Sequence, residues 1–159
     1  MKNIILALLT VITISCNGNA QKETKISSEF KITKSEAQWK EILSPQQYSV
    51  LRKGGTERPY SSELNDIKEP GTFVCAACSN KLYRTGNKFD SGTGWPSFDR
   101  AIEGGVAFGS EFEHNEIHCS RCGGHLGHLF DDGPKKTTGK RHCINGIAMK
   151  FIPDSQKSE

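Results

Sequence analysis

Two C-x-x-C pairs, Cys75-Ala76-Ala77-Cys78 and Cys119-Ser120-Arg121-Cys122, stand 40 residues apart in a chain of 159. Each has the spacing of a zinc knuckle, a tight turn whose two thiolates point to one side. Two knuckles supply the closed tetrahedral set of a structural zinc, with sulfurs at about 2.3 Å from the metal. A weak echo surrounds them, because Leu82 and Leu126 each stand four residues beyond the second cysteine of a pair. Disulfides and a thioredoxin-type redox pair are the competing readings. A redox C-x-x-C opens a helix, whereas Ser79-Asn80 and Gly123-Gly124 continue these pairs as turns. Duplication favours a shared metal that ties the two ends of a thin β domain together. The long stretch between the knuckles leaves room for a functional segment.

The remaining composition fits a small domain that needs such support. Only 35% of the residues are hydrophobic, and 16 are glycine. A core built from so little apolar surface is modest, and the length suits one domain. Lysine and arginine number 21 against 18 acids, a formal charge of +3 with the signs well mixed. A nucleic-acid binder driven by phosphate neutralisation is therefore not expected. An acidic disordered chain, a collagen, a coiled coil and a multi-span membrane protein are excluded on the same grounds.

The chain opens with Met1-Lys2-Asn3 and an uncharged run from Ile4 to Ile14. Eleven residues fall short of the roughly 20 that cross a bilayer as a helix, so the run reads as a signal-peptide core. Cys16 stands where the lipobox of bacterial lipoproteins places its acylated cysteine, although Thr13 replaces the usual leucine. Cleavage after Ala20 is the alternative. Residues 1–15 are thus expected to be a signal peptide and 16–34 a flexible linker. Either cleavage places the mature protein outside the cytoplasm, in the cell envelope and lipid-anchored if Cys16 is acylated.

Two capping signals then predict helices. Ser35 with Gln38 would place Trp39 and Ile42 on one face. Ser44-Pro45-Gln46-Gln47 would begin a second, with Tyr48 and Leu51 buried and Gly54-Gly55 as the stop. Beyond Pro70, short apolar runs alternate with Gly, Asp and Asn clusters: Thr72–Val74, Lys81–Tyr83, Val106–Phe108, Glu116–His118, Leu126–Phe130, Arg141–Ile144 and Ala148–Ile152. This texture predicts a mainly β domain of antiparallel strands. Residues 154–159 read as a loose tail.

With four cysteines given to metal and Cys16 to the lipobox, Cys143 is left over. It is either a reactive thiol, an intermolecular bridge, or a buried cysteine acting as a small hydrophobe. Adjacent Lys140, Arg141 and His142 favour the thiolate. Strand alternation would put Arg141 and Asn145 on the sulfur's side. Trp95, bracketed by Gly94 and Pro96, is either a pocket wall or a core residue. His125 and His128 suggest proton transfer rather than metal binding, since four thiolates already complete the shell, with ordinary hydrogen-bonded histidines as the alternative.

Five motifs in order, Cys75-x-x-Cys78, Asp90-Ser91-Gly92-x-Gly94-Trp95-Pro96-Ser97-Phe98, Cys119-x-x-Cys122, His125-Leu126-Gly127-His128 and Arg141-x-Cys143-x-Asn145, resemble the type B peptide-methionine sulfoxide reductases. The resemblance covers residues 35–153. It implies two antiparallel sheets forming a small barrel-like domain, short N-terminal helices, one structural zinc, and action on the R epimer of protein-bound methionine sulfoxide. It further implies that Cys143 is the nucleophile, with His128, His125 and Asn145 serving proton delivery. Trp95 would hold the substrate's methyl group, with Arg141 and Phe98 also on the substrate side. Two departures stand out. Thr93 occupies the place where many members carry a resolving cysteine, so an external thiol, thioredoxin-like or small, would have to resolve the sulfenic acid. Gly146 follows Asn145 where a small polar residue is usual, and would loosen the strand beside the nucleophile. A non-catalytic zinc-knuckle binding module and an exported cysteine hydrolase are the other classes; a monomer is expected in each case.

Overall fold

Ser35 and Ser44 open the two helices of a computed structural model that describes residues 30–109 and 115–156. Helix α1 spans Glu36–Ile42 and α2 spans Pro45–Lys53. In both, the serine hydroxyl accepts from the backbone N–H three residues on, and the glutamine there reaches back to the serine N–H. Two otherwise orphaned donors are satisfied at each start. Gly54, with φ 67°, closes α2 in the left-handed conformation. Trp39, Tyr48 and Leu51 are buried, but Ile42 is 52% exposed and Leu43 is buried in its stead. The reason is local: α1 ends at Ile42, and the extended backbone of Leu43 turns that side chain inward.

Nine strands follow among the described residues: β1 Gly71–Cys75, β2 Lys81–Arg84, β3 Lys88–Phe89, β4 Ser97–Phe98, β5 Val106–Phe108, β6 Glu116–Cys119, β7 His125–Phe130, β8 Arg141–Ile144 and β9 Met149–Pro153. They form two antiparallel sheets, one ordered β2-β1-β9 and the other β3-β4-β8-β7-β6-β5. Aromatic side chains join the sheets. Phe98 of the larger sheet stacks on Tyr83 at 4.2 Å and meets Phe73 edge-on at 5.0 Å, both from the smaller sheet. Leu82 and Leu126, the two echoed leucines, are fully buried in the same core with Ile117 and Ile144.

Both ends of the described chain are more firmly attached than the sequence suggests. The expected signal segment, Cys16 and the linker through residue 29 lie outside the described residues. From residue 30 the chain is already docked. Phe30 covers Gly123, where an added Cβ would lie 2.5 Å from its ring, and the Ile32 N–H donates to the Arg121 carbonyl at 2.9 Å. At the other end, Asp154–Gln156 form a 3-10 turn. The Asp154 N–H donates to the Pro70 carbonyl, and its carboxylate meets Arg84 at 3.2 Å. No helix among the described residues is long and apolar enough to cross a membrane.

Candidate functional site

The four paired cysteines converge. Cys75 and Cys119 end strands β1 and β6, and the turns after them close with the same two backbone bonds. The N–H groups of Ser79 and Gly123 donate to the carbonyls of Cys75 and Cys119, and the N–H groups of those two cysteines donate to the carbonyls of Asn80 and Gly124, at 2.8–2.9 Å. Both closing residues are left-handed, Ser79 at φ 58° and Gly123 at φ 66°. The Cys75–Cys122 sulfurs lie 3.8 Å apart and the Cys78–Cys119 sulfurs 3.5 Å, with all four within 4.8 Å of one another. A tetrahedron with 2.3 Å arms has edges of about 3.8 Å. None of the four is in a disulfide. Their sulfurs cannot all ionise unaided: the sulfur of Cys119 holds the Cys75 thiol far above its ordinary range. A cation resolves that conflict, so the cluster is placed to hold a metal ion and is compatible with structural zinc.

Cys143 lies in β8, flanked by β4 and β7, with Ser97 opposite on one side and His128 opposite on the other. Strand β7 can approach so closely only because of Gly127, where a Cβ would stand 2.0 Å from the Cys143 carbonyl oxygen. The thiol is half-buried. Burial pushes its pKa up, while the nearby Arg141 guanidinium and Thr93 hydroxyl pull it down. Arg141 is itself buried and bound bidentately to Asp132 at 2.8 and 2.9 Å, with its guanidinium 4.3 Å over the Phe130 ring. That pairing lowers the Asp132 pKa and raises that of Arg141.

Trp95 is half-buried and held by an N–H donated to the Glu57 carbonyl at 3.2 Å. Its loop needs Gly94 at φ 89°, because any Cβ there would lie within 2.9 Å of Pro59 and Tyr60. A cavity of about 450 Å³ opens beside the loop, lined by Trp95, Phe89, Lys88, Asn65 and Tyr60 among others. Glu57 holds a second structure as well. Its carboxylate accepts from the N–H groups of Gly146 and Ile147 at 2.6 and 2.9 Å, and its own N–H donates to Asn145. The indole and the turn that follows Cys143 therefore hang on one residue.

Three expectations for the site need correction. Asn145 lies just past the end of β8 at Ile144, so strand alternation no longer places it on the sulfur's side. Its amide is spent on backbone, donating to Leu126 and accepting from Glu57. Phe98 is fully buried against Tyr83 and Phe73, so it shapes the core rather than touching a ligand. Gly146 does not loosen a strand. It lies in a 3-10 turn, and a Cβ there would collide with the Ser62 hydroxyl at 1.9 Å.

His125 also takes a different part from the one expected. It is 4% exposed, and its Nδ1 meets one oxygen of Glu116, whose other oxygen lies 3.4 Å from His118 Nε2. Burial lowers the His125 pKa against the opposing pull of Glu116. A neutral ring facing a carboxylate carries its proton on Nδ1, which leaves Nε2 an acceptor. The His125 and His128 rings stand 5.2 Å apart, so His125 can orient His128 but has no proton at Nε2 to give. Glu57, Glu116 and His118 escaped sequence reasoning because none belongs to a spaced motif; only their strand and loop partners reveal them. His142, on the opposite face of β8, is buried against the Tyr83 hydroxyl at 3.2 Å, and burial holds its pKa at about 4.

A family model described as the SelR domain matches residues 43–153. The peptide methionine sulfoxide reductase MsrB of Leifsonia xyli subsp. xyli is 43% identical over 133 residues, covering 80% of this chain and 96% of the relative. The MsrB of Methanosarcina barkeri is 49% identical over 130 residues, covering 79% and 91%. The chloroplastic peptide methionine sulfoxide reductase B3 of Oryza sativa subsp. japonica is 43% identical over 131 residues, 80% of this chain and 57% of the relative. With the metal cluster, the tryptophan loop and Cys143 all inside the matched span, the chain belongs to the SelR-domain family of type B peptide methionine sulfoxide reductases.

Proposed function

We propose that this protein reduces the R epimer of methionine sulfoxide in proteins, with Cys143 as the attacking thiolate. The observation that carries the reading is the face shared by Cys143 and His128 beside the Trp95 loop, while every other described cysteine is drawn into the metal cluster. The thiolate attacks the sulfoxide sulfur and His128 supplies a proton to the sulfoxide oxygen. One thiolate, one sulfoxide and one proton give one sulfenic acid and one thioether, so the substrate sulfur gains the two electrons that Cys143 loses. His125, anchored by Glu116, orients His128 by packing its ring against it. Trp95 offers an apolar wall to the substrate methyl group; in the S epimer the oxygen would meet the indole instead.

Thr93 beside the sulfur has no thiol to offer, so resolution falls to an external one. A first thiol condenses with the sulfenic acid and releases water, and a second frees Cys143 by exchange. Thioredoxin-like proteins or small thiols fit that role. The cysteine cluster holds a structural zinc that takes no part in the chemistry. The protein is exported and acts as a monomer in the cell envelope, anchored through Cys16 or, failing that, cleaved after Ala20; the mass of the mature N-terminal peptide distinguishes the two.

The test is reduction of separated R and S dabsyl-methionine sulfoxide by purified protein with dithiothreitol. Turnover of the R form alone, lost in Cys143→Ser, is expected; turnover that survives the substitution overturns the reading. Mass spectrometry after one equivalent of substrate without reductant should show one added oxygen on Cys143 and no internal disulfide.

A further inference from the structure

Beside Cys143 runs a row of three hydroxyls that the chemistry above leaves unused. Ser91 Oγ lies 2.8 Å from Thr93 Oγ1 and 2.8 Å from Ser97 Oγ, and Ser97 Oγ lies 3.1 Å from the Trp95 carbonyl oxygen. The Thr93 hydroxyl is close enough to the Cys143 sulfur to favour its anion, and Ser97, fully buried, is the register partner of Cys143 on β4. The row therefore leads from the sheet interior to the reactive sulfur.

Its polarity follows from donor and acceptor capacity. A carbonyl oxygen only accepts, so Ser97 donates to Trp95, Ser91 donates to Ser97, and Thr93 donates to Ser91. That order suits the thiol form of Cys143, because Thr93 keeps a lone pair free to accept from an S–H. Once the thiol has lost its proton to solvent, the sulfur anion needs a donor. Rotation of the Thr93 hydroxyl supplies one, and Ser91 still accepts from the Thr93 N–H at 3.4 Å. No proton leaves any of the three oxygens; only one hydrogen bond is redirected. The other groups facing the sulfur are His128 from β7 and, on its own strand, Arg141 with its partner Asp132, so the β4 side offers hydroxyls alone.

We propose that Thr93 is a catalytic hydroxyl that turns to donate to the Cys143 thiolate, held ready by Ser91 and Ser97. The assignment rests on reading Cys143 as the attacking group. The experiment measures iodoacetamide alkylation of Cys143 against pH, without substrate, in wild type, Thr93→Val, Thr93→Ser and Ser91→Ala, with metal content and melting temperature recorded for each. In T93V the alkylation midpoint should rise by about one unit, the effect of losing one hydrogen bond to a charged group. Alkylation at pH 7 should slow about threefold to fivefold, because the more basic thiolate is also the better nucleophile. T93S should restore the midpoint, and S91A should shift it part of the way. A T93V midpoint at or below that of wild type overturns the proposal; if T93V does not fold, an unmoved S91A midpoint does so. Parallel turnover of methionine sulfoxide separates the two claims. Wild type without turnover but with a shifted T93V midpoint sinks the reductase reading alone, and the reverse result sinks only the hydroxyl.

Discussion

Half burial pushes Cys143 toward its unreactive thiol, and Arg141 on the same strand works against it. Arg141→Met should therefore slow alkylation at pH 7 and lower sulfoxide turnover by about tenfold, as loss of a neighbouring positive charge raises a thiol's pKa. Asp132 is mostly exposed and tolerates the loss of its partner. On the other face of the strand, His142 is held neutral. Its folded pKa of about 4 lies below the ordinary 6.5, so the unfolded chain binds the extra proton between those values. Stability should thus be complete above pH 6.5 and fall by roughly 3 kcal/mol as pH drops to 4. Thermal melts across that window should be flatter for His142→Phe. At this scale the sequence was readable where chemistry is local: Arg141 and Cys143 are two residues apart, and each C-x-x-C is its own turn. Thr93 and Glu57 gain their roles only from segments distant in the chain, and Glu116 gains its role from the pairing of β6 with β7; no motif spacing discloses either.

Between β7 and β8 the decisive residue has no side chain. Replacing glycine by alanine within a strand usually helps, since it removes backbone entropy from the unfolded chain. Gly127→Ala should do the opposite and cost about 3 kcal/mol, because its Cβ would meet the Cys143 carbonyl at 2.0 Å and force the strands apart. Chemical denaturation measures the loss, and sulfoxide turnover should fall with it. Glu57→Gln is the matching test for the loops: one of two N–H groups would face an amide NH₂ instead of an oxygen. A loss of about 2 kcal/mol is expected, together with weaker substrate affinity as the Trp95 loop loosens. Seven of the strands left short apolar runs bounded by turn residues, and both helices announced their caps. Strands β3 and β4, two residues each, are too short for any period to register. Ile42 and Leu43 exchanged places because helix ends are decided by packing, not by periodicity.

For the molecule as a whole, the four-cysteine cluster brings β1 of one sheet against β6 of the other, where a metal ion would fasten them. Cys122→Ser, or chelation under reducing conditions, should remove one bound metal ion per chain and lower the melting temperature by at least 10 °C, a loss of several kcal/mol for a domain of this size. Metal analysis paired with calorimetry checks both numbers. Duplicated knuckles made this staple visible in the sequence, whereas the docking of Phe30 and Ile32 on the second knuckle was hidden in a segment that looks like plain linker. Glu57 has a different kind of reach. Since it holds both the Trp95 indole and the backbone just past Cys143, displacing either one strains its hold on the other. A mouth held in this way leaves the bending to the client, so methionine sulfoxide on pliant or unravelled polypeptide should be reduced faster than the same residue clamped inside a rigid core, a difference that paired native and unfolded oxidised substrates would measure.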